Sequence, residues 1–388
     1  MSFFTVHHRS RKSKARIGSI ATSHGVVQTP SFVPVATKGT LKSLSPEEIK
    51  EIGVQIQFVN TYHLVTHPGV DIIEQMGGIH TYSHLPTPLL SDSAGFQVFS
   101  LAKNSRKAKV RGEEEPLVVK IHNDGVVFRS VHDGSIFEFT PEKSMEYQVK
   151  IGADMLMAFD ECTYYPAGEE YARHAMERSH QWLTKCIQYL QAHEPTFTYP
   201  RYLYGIIQGG TYEALRKESA EFVALQQTPG VAIGGVAVGE SKKEMREVVS
   251  WVAPYLPHDR PVHLLGVGGF DDIYDLVQVG IDTFDCVEPT RMARMGVIYD
   301  IEDTSFSGER MYDQIREVDI TKNSYRSNGE KVSVSCSCYT CTHFTKSYLH
   351  HLFKQKELFG YRLATIHNLT VMEKYMHEIR RRVEEDRL

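Results

Sequence analysis

Eight short apolar runs, at 31–35, 55–60, 88–91, 154–159, 202–207, 231–234, 262–267 and 281–284, recur through the chain with helical patterns between most of them. Runs this brief, partly β-branched and ended by polar residues or glycine, are what strands buried on both faces look like. The intervening helices carry their own punctuation. Ser45-Pro46-Glu47-Glu48 is a capping box with proline at the first helical position, and Gly53 stops it. Thr140-Pro141-Glu142 opens a second helix that stops near Gly152. Amphipathic stretches follow at 167–193, 212–227, 241–254 and 271–279. Such alternation predicts a (β/α)8 barrel rather than a doubly wound sheet, and 388 residues are enough to fill one.

Two segments break the alternation. Residues 108–139 read as antiparallel strands with a turn at Asp133-Gly134. Residues 303–367 hold polar loops, a helix-like stretch from Thr345 to Leu358, and the run Cys336-Ser337-Cys338-Tyr339-Thr340-Cys341 with His367 downstream. Three thiolates sharing one loop repel unless a cation relieves them, and three sulfurs with one imidazole suit tetrahedral Zn2+. A redox cluster or coincidental buried thiols are the competing readings. A Cys3His set leaves no open position, so such a zinc is structural, and the chemistry must lie elsewhere. The organisation expected is a barrel over 1–302 and 368–388, with the antiparallel insertion inside it and a zinc-binding subdomain over 303–367.

The totals exclude several classes. No stretch approaches the length of apolar residues that a membrane helix needs, and the basic N-terminus has no apolar core of a secretory signal. The remaining cysteines, Cys162, Cys186 and Cys286, are scattered, which points to a reducing, cytoplasmic setting. A net charge of −5 argues weakly against nucleic acid as a partner. Local basic runs at Lys103–Arg111, at Arg291 and Arg294, and at Arg380–Arg382 qualify that, although each alone reads as a solvated surface.

In a barrel the active groups project from the C-terminal strand ends. Here those ends carry Asp92, then Asp160-Glu161-Cys162, Gln208-Gly209-Gly210, Gly234-Gly235 with Glu240, Gly266–Gly269, and Asp285. Each alone reads as a cap or a packing residue; six in succession at one end do not. Carboxylates facing one cavity divide into nucleophile, proton carrier and substrate ligand according to environment, the equipment of glycosidic-bond chemistry.

DSAGFQ, DECTYYP, GIIQGG, GGVAVGE, FDCVEPTRMARMG and CSCYTC with its downstream HNL occur in this order along nearly the whole chain. The ordered set resembles the tRNA-guanine transglycosylases, in their bacterial form. The resemblance implies that Asp285 attacks the anomeric carbon of the wobble guanosine in tRNAs with a GUN anticodon. A 7-deazaguanine base then displaces the aspartate, with Asp92 as general acid/base. It implies that Asp160, Gln208 and the backbone at Gly235 read the guanine edge, and that Phe96 stacks on the base. Cys162, Val236, Val238, Glu240 and Leu265 complete the pocket, and Arg291 and Arg294 hold the flanking nucleotides. It further implies Zn2+ on Cys336, Cys338, Cys341 and His367, and a homodimer.

The chain departs from the family pattern at three positions. Ala94 stands where a second glycine is usual, Glu288 at a position commonly apolar, and Leu265 where bacterial members often carry Met. Cys162 and Val238 form the bacterial pair, which favours 7-aminomethyl-7-deazaguanine over queuine, since β-branched Val238 crowds the larger substituent. Direct use of queuine is the alternative. A non-catalytic tRNA-binding subunit of the same fold is disfavoured by the presence of both Asp92 and Asp285. An archaeal-type enzyme is disfavoured because the chain ends about twenty residues beyond His367. A metal-dependent barrel hydrolase would need ligands from His63, His263 or His350-His351, which read as packing or surface residues.

Overall fold

A computed structural model describes residues 2–96, 117–129, 134–193, 196–302, 306 and 308–388. The chain begins with three antiparallel strands, β1 (Phe4–Arg9), β2 (Arg16–Thr22) and β3 (Gly25–Thr29). Strands β4 (Ser31–Pro34), β5 (Gln57–Val59) and β6 (Leu89–Ser91) then start a parallel sheet. An antiparallel insertion of β7 (Leu117–His122), β8 (Gly125–Arg129) and β9 (Ile136–Phe139) interrupts it. Strands β10 (Met155–Met157), β11 (Tyr202–Ile207), β12 (Gly230–Ile233), β13 (Val262–Leu264) and β14 (Thr283–Cys286) complete it. All eight apolar runs lie in this sheet, in the order β4-β14-β13-β12-β11-β10-β6-β5. A parallel bridge from Val35 to Phe58, with the Ala36 amide donating to the Phe58 carbonyl at 2.7 Å, closes β5 onto β4. The fold is the expected (β/α)8 barrel.

Helix ends fall where their capping residues dictate. The helix Pro46–Ile52 carries both halves of the Ser45/Glu48 capping box and ends at Gly53, φ 87°. The helix Pro141–Ile151 is capped by Thr140 and ends at Gly152, φ 79°. The antiparallel insertion forms as expected within 117–129 and 134–139. Residues 108–116 and Asp133, like the basic run 103–111, lie outside the described residues.

The first three strands belong to no expected element, and they plug the barrel floor. Phe4, Ile20 and Val27 join Val33, Phe58, Leu90, Met155, Met157 and Tyr204 in the barrel interior. Arg16 anchors this plug. Its guanidinium is buried and donates to both oxygens of Asp282, at 2.9 and 2.5 Å, and to the carbonyls of Pro257, His258 and Arg260. Burial raises Asp282 above the usual carboxylate range, against the pull of Arg16. The floor is thus sealed with apolar side chains and a fully hydrogen-bonded ion pair, so the polar strand ends open at the other end only.

Beyond β14, strands β15 (Val297–Ile301) and β16 (Ile315–Asp319) form a small antiparallel ladder. A helix over Lys346–Gln355, capped by Thr345, follows the cysteine loop. The last helix, Leu358–Glu384, runs against β4, β15 and the helix Glu288–Arg294, and so joins this segment to the barrel. Among the described residues no helix is long and apolar enough to cross a membrane.

Candidate active site and metal centre

Asp92, Asp160 and Asp285 stand at the C-terminal ends of β6, β10 and β14, each more than nine-tenths buried. Asp92 accepts from the Asn60 side-chain amide at 2.6 Å and from the Thr61 backbone amide at 2.6 Å. Asp160 accepts from the Ser93 hydroxyl at 3.0 Å and from Gln208 Nε2 at 2.7 Å. Burial pushes the Asp160 carboxyl up to about 6, partly offset by those two donors. Asp285 receives two contacts on one oxygen: His263 Nε2 and the Gly266 amide each lie 3.0 Å from Oδ1.

His263 is the main surprise. Read as packing from its apolar run, it is fully buried and sits directly behind Asp285. The parallel register places His263 opposite Thr283, whose hydroxyl lies 2.8 Å from Nδ1, and Asp285 is the next residue on that face. The other histidines behave as expected. His350 is buried, with Nδ1 2.8 Å from the Ile320 carbonyl, while its neighbour His351 is exposed.

The glycines are required by close approach. A side chain at Gly95 would strike Asp160, and one at Gly235 (φ 63°) would strike Gln208 Oε1. Arg216, a residue with no sequence signal beyond its helix, braces these loops from below. It is fully buried and donates to the carbonyls of Gly210 at 2.7 Å, Gly234 at 2.6 Å and Gly235 at 2.8 Å. Glu240 accepts from the backbone amides of Ala237 and Val238 and so orients that peptide. Cys162 and Val236 are buried nearby, and Leu265 and Val238 are half-buried. Burial raises the Cys162 thiol well above its usual range, so it is a neutral wall rather than a nucleophile. Phe96 is exposed. Glu161 turns away from the cavity to Tyr171 and Arg178. Arg291 is exposed and Arg294 half-buried on the short helix that follows β14.

Cys336, Cys338, Cys341 and His367 converge, all buried, with their ligand atoms within 4.8 Å of one another. His367 Nδ1 lies 3.6 Å from the Cys338 sulfur and 3.2 Å from that of Cys341. Its Nε2 is 2.7 Å from the Tyr299 carbonyl and must donate there, which leaves the Nδ1 lone pair facing the sulfurs. The four groups are poised to bind a metal ion.

A model of the family described as queuine tRNA-ribosyltransferase matches residues 10–388. The chain belongs to that family. It is 40% identical over 395 residues to a queuine tRNA-ribosyltransferase of Roseiflexus sp. (strain RS-1), covering 99% of this chain and 96% of the relative. The identity to one from Caldanaerobacter subterraneus subsp. tengcongensis is 42% over 385 residues, 99% and 94% of the two chains. With that of Herpetosiphon aurantiacus it is 40% over 387 residues, 100% and 90%. Within this family the departure at Ala94 has a visible conformation. Its φ is 69°, a region where glycine is at ease and alanine costs roughly 1–2 kcal/mol. Glu288 is half-buried, and burial followed by the charge of Glu317 raises its carboxyl above the usual range.

Proposed function

We propose that the chain replaces the wobble guanine of tRNAs with a GUN anticodon by double displacement through a covalent ribosyl-aspartate, taking 7-aminomethyl-7-deazaguanine as incoming base. That it is an enzyme, a pentosyltransferase carrying out the tRNA-guanine exchange of queuosine biosynthesis, follows from its family. The reading of the steps rests on one observation: Asp285 is tethered through Oδ1 alone, and among the described residues Oδ2 carries no hydrogen bond.

Oδ2 attacks the anomeric carbon of the ribose. The bond to guanine breaks, its electron pair leaves with the base, and Asp92 supplies the proton the base takes up. The incoming base returns a proton to Asp92 as its ring nitrogen attacks the same carbon and expels Asp285. Two inversions give net retention. His263 acts through Asp285, as a positioning residue. An alanine there lowers kcat about 100-fold with little change in KM for the base, the size of effect expected when a nucleophile loses its aim. Steady-state exchange of labelled guanine separates the two constants.

Asp160, Gln208 and the Gly235 backbone bind the base edge, with Phe96 stacked upon it and Val236 and Leu265 flanking it. A carboxylate accepts two N–H groups from guanine; a carboxylic acid does not. Because burial pushes Asp160 up to about 6, base affinity falls as pH drops through that value. Below it the loss approaches about tenfold per pH unit. Calorimetric titration of the base across this range reads the slope, and in Asp160→Asn the slope disappears.

Cys162, Val238 and Glu240 support the choice of base. Glu240 fixes the neighbouring peptide so that a carbonyl can meet an ammonium, and Val238 crowds anything larger than aminomethyl. Val238→Gly is expected to admit queuine. The removed volume is worth roughly 1–3 kcal/mol, or 10–200-fold in relative kcat/KM. Competition between the two bases measures it, and unchanged preference would place the discriminating contact elsewhere.

Arg291 and Arg294 lie in the segment that holds the uridines flanking the wobble position, whose base must be unstacked before it is reached. The metal is Zn2+, held by Cys336, Cys338, Cys341 and His367. It supplies no chemistry to the exchange and orders residues 303–367 as a subdomain on a barrel of 1–302 and 368–388. The exposed Tyr339, Tyr348 and Leu358 support a homodimer. None of the six cysteines is in a disulfide, which suits a cytoplasmic setting.

A further inference from the structure

We infer that Arg216 is a positioning residue for the departure of the base. It aims and polarises the Gly234–Gly235 peptide, so that the Gly235 N–H stabilises negative charge on the guanine oxygen as the glycosidic bond breaks. The inference rests on the reading that the Gly235 backbone meets the base edge.

Arg216 sits in the first turn of the helix Glu213–Leu225, and its guanidinium reaches the loop that follows β12. Nη1 donates to the Gly234 carbonyl at 2.6 Å, and Nη2 to the Gly235 carbonyl at 2.8 Å. One planar fork therefore pins the peptides on both sides of the Gly235 Cα. A trans peptide points its C=O and N–H in opposite directions. Holding the Gly234 carbonyl thus sends the Gly235 N–H the other way, toward the Cys162 sulfur on the pocket wall. Among the described residues no oxygen accepts from that N–H.

The plainer reading is a loop brace. A brace needs no charge, and a buried charge is costly without a counter-ion. Among the described residues every hydrogen bond of Arg216 goes to a backbone carbonyl, of Ile207, Gly210, Gly234 or Gly235, and none to a carboxylate. Burial pulls the guanidinium down to about 10, so it stays charged at neutral pH. Glu240, whose charge it feels, is engaged with the amides of Ala237 and Val238. Negative charge arrives with the reaction instead. The electron pair of the breaking bond enters the purine, and conjugation carries part of it to the exocyclic oxygen until the proton from Asp92 neutralises the base. An N–H whose own peptide carbonyl accepts from a cation is a stronger donor to that oxygen.

The test uses RNA stem-loops that carry guanosine or 6-thioguanosine at the wobble position, with the full chain in excess and no free base. The rate of ribosyl-adduct formation is read for each. Sulfur accepts an N–H weakly, so the ratio of the oxygen rate to the sulfur rate reports the Gly235 contact. In Arg216→Met the guanosine rate falls about 100-fold, and the ratio falls about tenfold or more. Arg216→Lys keeps the charge and recovers part of both, and it carries the comparison where the Met variant does not fold. A brace would lower both rates alike, so a ratio unchanged from wild type in a folded variant overturns the inference. Equal affinity of the wild-type chain for guanine and for 2-aminopurine, which lacks the oxygen, would instead bring down the base-edge reading, and this inference with it.

Discussion

Asp285→Asn loses guanine exchange by on the order of 10^4-fold or more, and no ribosyl adduct survives denaturation. The substitution is isosteric. The amide keeps an acceptor for the Gly266 N–H 3.0 Å away, so the local fold persists while nucleophilic charge is gone. Binding of tRNA and of the free base should persist, which separates lost chemistry from lost recognition. Trapping on a denaturing gel with labelled tRNA reads the adduct, and isotope exchange reads turnover. An adduct of undiminished yield in Asp285→Asn would shift the nucleophilic role to another carboxylate, and Asp92→Asn would then be the next variant to assay.

Removal of the metal proposed for the cysteine cluster is expected to have an equally large effect on a different observable. Structural zinc sites contribute about 10–16 kcal/mol in isolated zinc-finger peptides. The cluster here gathers three thiols and an imidazole within a buried pocket, and without the ion they face one another uncompensated. Chelation, or Cys341→Ala, should therefore open residues 303–367, seen as fast amide exchange and new proteolytic cuts there. Base binding at the barrel mouth should survive, whereas tRNA binding and turnover should fall together. Turnover lost while the segment stays protected would contradict a structural role.

The barrel was legible because its strands are buried on both faces, and such strands read as apolar blocks whatever their neighbours. Their ends were less so. The run at 262–267 extends past β13 (Val262–Leu264), since Val267 is also buried in the loop that follows. The floor-plugging strands escaped notice for the opposite reason. In β1 only Phe4 is buried, with Val6 and His8 half-buried and Thr5, His7 and Arg9 exposed, and the stretch reads as a basic tail. Among site residues, the three aspartates announced themselves by type and position. His263 and Arg216 did not, because their roles exist only through register and helix packing, which a linear pattern does not carry. Ala94 was visible as a departure, but its reason, a left-handed backbone, required dihedral angles.

The plug of β1–β3 also has a consequence for how the chain is made. Its partners are distant in sequence: the Arg16 guanidinium pairs with Asp282, the Lys14 amide with the Gln278 carbonyl, and the Arg9 guanidinium with the His258 carbonyl. His8 and Asp386 are 3.2 Å apart. Synthesis proceeds from the N-terminus, so the first strands emerge long before anything exists for them to seal. Contacts of such separation make folding slow. Until the barrel strands as far as β12 have formed, Phe4, Ile20 and Val27 are an uncovered apolar face, the one a holding chaperone would meet on the nascent chain.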